Sequence, residues 1–339
     1  MTDIKNFRTP RTPKLWEALV PVIGMTVIII IGILLFGLEP HIPIVLACVL
    51  AAIMAFKVGH SWDSILNGIL ESVRRALEAL IIVMIVGMLI GSWISSGTVP
   101  AMVYYGLGLI SPKIFLPTGA ILCAIVSTAT GSSWTSSGTV GIALMSIAAG
   151  LGINPAIAAG MVISGAYFGD KLSPLSDSTN VAAATAETPL YDHVGAMIST
   201  TLPSFLIALV IYAVIGLTGG AGNYDASRVE LIRATILENF NINIWLLIPP
   251  LFVIFAAVKR IPGIPSLLAA TGLGGIFAMV FQGRTIGEVL LSFHYGFEAD
   301  TGVEIVDKLL NRGGLDSMMW TISLIIFALA FGGILEKAG

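Results

Sequence analysis

The amino-acid sequence predicts an all-α polytopic membrane protein, and three observations lead to this fold class. Of the 339 residues, 56% are hydrophobic and only 11% are charged, against about 25% charged in an average soluble domain. The mean hydropathy is +0.95. Several uncharged apolar runs, beginning with residues 18–38, are long enough to cross roughly 30 Å of hydrocarbon as helices. The net charge of −3 comes without a basic tract, so we expect the lipid bilayer as a partner and no nucleic acid.

Two helices joined by a tight turn are predicted near the N-terminus. The apolar runs 18–38 and 42–56 are separated only by Glu39, Pro40 and His41. Basic residues stand before the pair and after it, so the positive-inside rule predicts a cytoplasmic N-terminus. No small-residue cleavage site follows the first run, so we expect it to remain as a helix.

The next segments alternate between amphipathic and apolar character. Helical spacing predicts an amphipathic helix in the membrane interface at 61–75 and a separate third span at 76–94. Later in the chain, an amphipathic helix is predicted at 226–240, and further spans are predicted at 194–217, 244–258, 265–281 and 317–334.

Between these spans the pattern predicts broken helices. The sequence SSGTVP at 95–100 interrupts the chain, and 101–110 is too short to cross a bilayer alone. The apolar run 115–130 meets ATGSSWTSSGTVG at 129–141 before a short helix at 142–151. Short helical pieces joined by Gly, Ser and Thr at membrane depth are typical of discontinuous helices in secondary transporters.

Two segments with the same pattern predict an inverted internal repeat. Residues 76–97 and 315–339 each have a polar lead-in, an apolar span with a late glycine, and a small-residue break. Basic residues dominate before the first copy and acidic residues before the second, so the copies would begin on opposite sides of the membrane. The second repeat would then be incomplete at residue 339, and further site residues are expected beyond it. The predicted domains are a cytoplasmic N-terminal segment (1–16), a transmembrane hairpin (17–58), a first repeat with broken helices (59–218), linker helices (219–281) and the start of the second repeat (282–339).

The segment GAYFGDKLSPLSDSTN at 165–180 predicts the functional site. It places carboxylates and hydroxyls between apolar flanks, and a charge at membrane depth costs about 2.5–3.5 kcal/mol on insertion scales, which favours a functional role. One carboxylate surrounded by neutral oxygen donors suits Na⁺. The candidate cation and proton ligands are Asp177, Asp170, Ser176, Ser178, Thr179 and Asn180, with Lys171 as a charge partner.

Structural roles for the same residues remain open at this point. Asp177 is also a suitable helix N-cap. Asp170 would equally serve as the ion-pair partner of Lys171, with the lysine at a helix end. The two roles of Asp177 are compatible with each other.

A dense hydroxyl cluster between residues 127 and 139 supplies the second half of the predicted site. Most of these hydroxyls are expected to bond to helix carbonyls and hold helices together. Those in the predicted turn at 132–137, namely Ser133, Thr135 and Ser136, are candidate ligands. Gly87 and Gly91 are instead predicted to be close-packing positions.

Three stretches resemble the NhaC-type sodium/proton antiporter family of the ion-transporter superfamily. They are GSSWTSSGTVGIAL (131–144), AAGMVISGAYFGDKLSPLSDSTNVA (158–182) and GGLDSMMWTISLIIFALAFGGILEKAG (313–339), and the resemblance extends from about residue 15 onward. It implies an inverted-repeat carrier that exchanges Na⁺ for H⁺ in a prokaryotic inner membrane. It also implies no cofactor beyond the transported ions, and a homodimer. Members of the family include carriers that exchange malate for lactate with sodium and protons.

The resulting hypothesis is Na⁺/H⁺ antiport, with both ions competing for Asp177 under alternating access and Na⁺ bound at that carboxylate. The alternative is a Na⁺/H⁺-coupled organic anion exchanger, for which Lys171 and the serine-rich turn would supply cationic and polar groups. A channel is disfavoured because no short repeated filter is visible. An enzyme is the most strongly disfavoured class, because no nucleophile–base pair, metal-ligand set or nucleotide loop is visible in the sequence.

Overall fold

The computed structural model describes residues 10–109, 111–131, 133–173, 176, 178–179, 182–183, 186–219, 226–259 and 261–339. Within these ranges every regular element is a helix, which confirms the all-α fold class. In chain order the elements are α1 (Leu15–Phe36), α2 (His41–Val58), α3 (Trp62–Ser95), α4 (Thr98–Leu109), α5 (Pro112–Thr130), α6 (Ser133–Ser136), a π-helical segment (Ser137–Gly141), α7 (Ile142–Gly150), α8 (Pro155–Leu172), α9 (Leu190–Leu217), α10 (Ala226–Asn239), a 3₁₀ turn (Ile244–Leu247), α11 (Ile248–Val258), α12 (Gly263–Gln282), α13 (Ile286–Tyr295), α14 (Glu304–Leu310) and α15 (Leu315–Ala338).

Six of the described helices are long and apolar enough to cross a membrane, which confirms the polytopic prediction. They are α1, α2, α3, α9, α12 and α15. A further pair, Val229–Asn239 and Ile244–Val253, passes the same test together but is bent by 106°. The bend coincides with the polar residues between α10 and the 3₁₀ turn.

The chain divides into two compact units, the first made of Met319–Gly339 and the described residues up to Ile81. Its small core is built on the alanines of α2 at helical spacing, Ala47, Ala51 and Ala55, all buried. Small side chains at i, i+4 and i+8 leave one face of a helix open to close approach.

The second unit runs from Ile82 to Met318 and holds the larger core, which includes the fully buried Trp93 and Phe115. The close-packing prediction for Gly87 and Gly91 is confirmed. A Cβ atom at Gly91 would lie under 3.0 Å from the carbonyl oxygen of Ser292.

Within the second unit, α3 and the beginning of α15 run antiparallel. Gly87 lies against Met318, and Gly91, one turn further along α3, lies against Gly314, which precedes Met318 in the chain. An inverted repeat requires this relative direction of the two helices. The repeat itself stays a prediction.

Helix α3 differs from the sequence-based expectation. The prediction of an interfacial helix at 61–75 and a separate span at 76–94 is wrong, because Trp62–Ser95 is one continuous helix of 34 residues. No proline or glycine stands at the predicted junction, where Arg74, Arg75, Ala76 and Leu77 all favour helix. At 1.5 Å per residue the helix is about 50 Å long.

The predicted breaks are present, with one correction. Helix α3 ends before Gly97, which has a φ of +80°, and α5 ends before Gly131, which has a φ of +67°. The prediction of a turn at 132–137 is wrong for the described residues, because Ser133–Ser136 is helical and continues into the π-helical segment. The serines there are therefore presented from a helix and not from a loop.

Candidate cation site

Helices α5 and α8 run parallel and in close contact through the second unit. Their contacts advance in step, since Gly165 lies against Ala120 and Gly169 lies against Ala124. A Cβ atom at either glycine would lie under 3.0 Å from a carbonyl oxygen of α5, so this approach requires glycine at both positions. Because the helices are parallel and in register, their C-terminal ends come together.

Serine hydroxyls join the two helices near this shared end. Ser127 Oγ donates to the carbonyl of Ala166 at 2.5 Å, and Ser173 Oγ donates to the carbonyl of Thr128 at 2.8 Å. Both serines are fully buried. The hydroxyl of Thr128 donates to the carbonyl of Ala124 within α5 at 2.8 Å, which is the helix-bonding role predicted for most of the cluster.

The two halves of the predicted site meet at Ser133 and Asp170. Ser133 Oγ donates to the carboxylate Oδ2 of Asp170 at 2.8 Å. Ser133 is 5% exposed and begins α6, and Asp170 is half-buried in the last turn of α8. A hydroxyl that donates to a carboxylate is a charge-assisted hydrogen bond, stronger than a neutral one.

Thr179, which follows α8 in the chain, lies against the end of that helix. Thr179 Oγ1 donates to the carbonyls of Asp170 at 3.3 Å and Lys171 at 3.1 Å. The hydroxyls of Ser176 and Ser178 are 2.9 Å apart, and Ser176 and Thr179 are buried. The carbonyls of Asp170 and Lys171 at the end of α8 thus accept from one hydroxyl of the predicted motif, that of Thr179.

The electrostatics of this arrangement favour a cation. A helix carries a partial negative charge of roughly half a unit at its C-terminus, and two such ends converge here beside the Asp170 carboxylate. A hydroxyl that donates to a carbonyl keeps lone pairs that can face an ion. Half-helix C-terminal ends and side-chain oxygens of this kind coordinate Na⁺ in secondary transporters.

The other predicted ligands divide into two groups. Asp177 and Asn180 lie outside the described residues, and so does the side chain of Thr135, so the Na⁺ position predicted at Asp177 stays a prediction. Ser136 is fully buried in α6, whereas Lys171 is exposed in the last turn of α8. The exposed lysine is suitably placed for the negative end of the helix.

The residues that frame the site were not all recognised in the sequence. Gly165 and Gly169 set the distance between α5 and α8, and Ser173 links the helix ends. The signal was available, because GAYFG has the same four-residue glycine spacing as GMLIG, which contains Gly87 and Gly91.

Comparison with known proteins identifies the family. The model of the Na⁺/H⁺ antiporter family matches residues 165–339. The chain is 39% identical over 330 residues to the malate-2H⁺/Na⁺-lactate antiporter of Bacillus subtilis, covering 97% of this chain and 70% of that protein. It is 41% identical to an uncharacterized Na⁺/H⁺ antiporter of Haemophilus influenzae, covering 99% and 73%. It is 38% identical to the Na⁺/H⁺ antiporter NhaC of Alkalihalophilus pseudofirmus, covering 93% and 68%.

No solved structure matches this chain. The assignment therefore depends on the sequence comparisons, and the resemblance carried by the three stretches is confirmed. The polytopic helical fold agrees with it, and so do the names of these three relatives, each of which is called an antiporter. This chain belongs to the Na⁺/H⁺ antiporter family and is a multi-pass membrane transporter, not an enzyme.

Proposed function

We propose that this protein exchanges Na⁺ for H⁺ across a prokaryotic cell membrane, with both ions competing for Asp177 under alternating access. The observation that carries the proposal is the hydrogen bond between Ser133 and Asp170 at the joined ends of α5 and α8. That contact brings the serine-rich segment against the motif that contains Asp177. Family membership supports Na⁺ and H⁺ as the transported ions.

Competition for one carboxylate gives exchange without a cofactor. An ionised carboxylate attracts Na⁺, and protonation removes that attraction, so one ion leaves when the other binds. Ser133 and Asp170 would hold the site in shape, while Ser176, Ser178 and Thr179 supply neutral oxygens in place of water. A site that opens alternately to each side of the membrane then couples the two ion gradients.

Everted membrane vesicles provide the test. Vesicles with an acid interior should lose their proton gradient when Na⁺ is added, and Asp177→Asn should abolish this response. The matched control is Asp192→Asn, the same substitution at an exposed residue of α9, which should respond like the wild type. An unchanged response in Asp177→Asn would remove the carboxylate from the site.

A second candidate function is exchange of organic anions coupled to Na⁺ and H⁺. It is favoured by the 39% identity to the Bacillus subtilis protein named as a malate-2H⁺/Na⁺-lactate antiporter. The same vesicles distinguish it from simple antiport. If Na⁺ alone gives no response and malate or lactate must be present, anion exchange replaces Na⁺/H⁺ antiport as the proposed function.

A further inference from the structure

A cavity of about 550 Å³ lies in the second unit, beside α8 and the π-helical segment. Its volume is within the range of small-molecule sites. The walls are mainly apolar side chains of α3, α7, α8 and α15, among them Ile90, Ile94, Met145, Val162, Ile163 and Met318.

Two hydrogen-bond donors on this wall are available to a ligand. Arg312 lines the cavity, and its Nε donates to the carbonyl of Lys308 at 3.2 Å. In the described part of the chain, the Arg312 guanidinium forms no ion pair with a carboxylate. Ser137 also lines the cavity, and its hydroxyl makes no hydrogen bond to a described residue. By contrast, the Asn311 amide is occupied, because it both accepts from and donates to the backbone of Ala299.

The turn that carries Arg312 is fixed by its surroundings. The next two residues, Gly313 and Gly314, both have a φ of +84°, a conformation that side chains disfavour. The Gly314 N–H donates to the carbonyl of Gly87 at 2.7 Å, and the carbonyl of Arg312 accepts from Phe297 at 3.5 Å. A fixed turn lowers the ordering cost of binding at the arginine.

We propose that this cavity binds a small organic carboxylate, with its anionic group at Arg312 and Ser137 and its apolar body against the walls formed by α3 and α8. A guanidinium binds a carboxylate through two parallel hydrogen bonds, and the apolar walls favour an aliphatic body over a second charge. The inference rests on the second proposed function and deepens it, because it gives a monocarboxylate, as lactate is, a site and a specificity-determining residue. Its test measures binding alone.

The π-helical segment links this cavity to the cation site. Ser137 and Gly141 line the cavity and belong to that segment, which directly continues α6. Ser133 stands four residues before Ser137, a rise of about 6 Å along a helix. A π-helical insertion is frequent at functional sites, and here it places a ligand donor close to the hydroxyl bound to Asp170.

Calorimetric titration of the purified full-length protein in lipid nanodiscs, in potassium buffer without Na⁺, tests the proposal. The probes are butyrate, hexanoate and hexylamine, with empty nanodiscs as the blank for partition into lipid. Hexanoate should bind about 15-fold more tightly than butyrate, because each buried methylene contributes about fourfold. Hexylamine should not bind, since its cation would meet Arg312.

Matched variants locate the site. Arg312→Gln should weaken hexanoate binding about tenfold or more, whereas Arg74→Gln, at an exposed arginine of the first unit, should leave it unchanged. Ala159→Phe, which fills the cavity from α8, should also weaken hexanoate binding. This variant tests the proposed site if Arg312→Gln does not fold. Equal binding in the wild type, Arg312→Gln and Ala159→Phe would overturn the proposal.

The result is separable from the vesicle experiment. Arg312-dependent binding without a carboxylate requirement in vesicles would keep the site and reject anion exchange. A carboxylate requirement in vesicles without Arg312-dependent binding would keep exchange and reject this cavity as its site.

Discussion

Ser133 donates a 2.8 Å hydrogen bond to the carboxylate of Asp170, across 37 residues of sequence. The contact forms where α5 and α8 end together, within the frame set by Gly165 and Gly169. It joins a buried hydroxyl to a carboxylate at the end of a helix that is packed in parallel with another. This geometry is the basis of the first two predictions.

The hydroxyl of Ser133 should be needed for Na⁺ affinity. Removing a hydrogen bond to a charged group typically costs about 1.5–3 kcal/mol, so Ser133→Ala should raise the half-maximal Na⁺ concentration about tenfold or more. The measurement is the Na⁺-dependent loss of the proton gradient in everted vesicles. Ser204→Ala is the matched control, because that hydroxyl bonds at 2.9 Å to Thr200 within its own helix. Equal shifts in the two variants would contradict a role for Ser133 in the site.

The contact between α5 and α8 should be intolerant of a single methyl group at Gly169. An alanine there would press against the backbone of α5, so Gly169→Ala should lower stability by about 1–3 kcal/mol. Gly160→Ala in the same helix should be neutral or stabilising, because among the described residues its Cβ would meet only the Tyr212 hydroxyl, at 3.5 Å. Thermal unfolding in detergent measures the Tm of both variants. An equal decrease in Tm for Gly169→Ala and Gly160→Ala would contradict a specific clash between Gly169 and α5.

The stability of the turn before α15 should depend on the space around its glycines as well as on their backbone conformation. Gly314→Ala introduces both a strained φ of +84° and a Cβ against the backbone of Gly296. Gly302→Ala introduces a similar φ of +75°, but its Cβ would have no described atom within 4 Å, so it should cost only about 1–2 kcal/mol. Gly314→Ala should therefore lower Tm further than Gly302→Ala. Equal decreases would mean that the turn can move away from Gly296.

The first turn of α13 should lose a stabilising contact in acid. The backbone N–H of Thr285 and then its hydroxyl donate to the Glu288 carboxylate at 2.7 and 2.8 Å, and these bonds hold the pKa of Glu288 below its ordinary value. A lowered folded-state pKa means that the stabilisation is present above the unfolded pKa of about 4.3 and is lost as pH falls through the folded value.

Hydrogen exchange of the amides around Thr285 measures this effect. At neutral pH, Glu288→Gln should exchange faster there than the wild type, and the ratio of the two rates should approach one as pH falls through the lowered folded-state pKa. Glu298→Gln, at an exposed carboxylate nearby, should match the wild type at every pH. A ratio for Glu288→Gln that does not change with pH would rule out the carboxylate as the cause.

The spans were predictable because their signal is local. An uncharged run such as 18–38 is too apolar for water and long enough for a bilayer, so it predicts a helix without tertiary information. The breaks at Gly97 and Gly131 were equally local, since both glycines adopt a positive φ. The division of α3 failed because a change from amphipathic to apolar character was interpreted as an end, although no residue there ends a helix.

The candidate site was predictable in composition and not in geometry. Asp170 and Ser133 were selected because polar groups are costly at membrane depth. Nothing in the local sequence indicated that Ser133 would donate a hydrogen bond to Asp170, because the distance between them depends on the parallel register of α5 and α8. The cavity beside Arg312 was even less predictable from the sequence, because its walls come from helices far apart in the chain.

The sequence by itself determined the membrane class, most of the spans, the family and the polar motif, because hydropathy, charge and motif identity can be recognised residue by residue. Only the tertiary structure decided that α5 and α8 are parallel, that Ser133 contacts Asp170, and that Arg312 reaches a cavity. The physical reason is that these features arise from contacts between distant segments. Such contacts form where a glycine backbone or a buried hydroxyl permits close approach, and local sequence does not specify the partner.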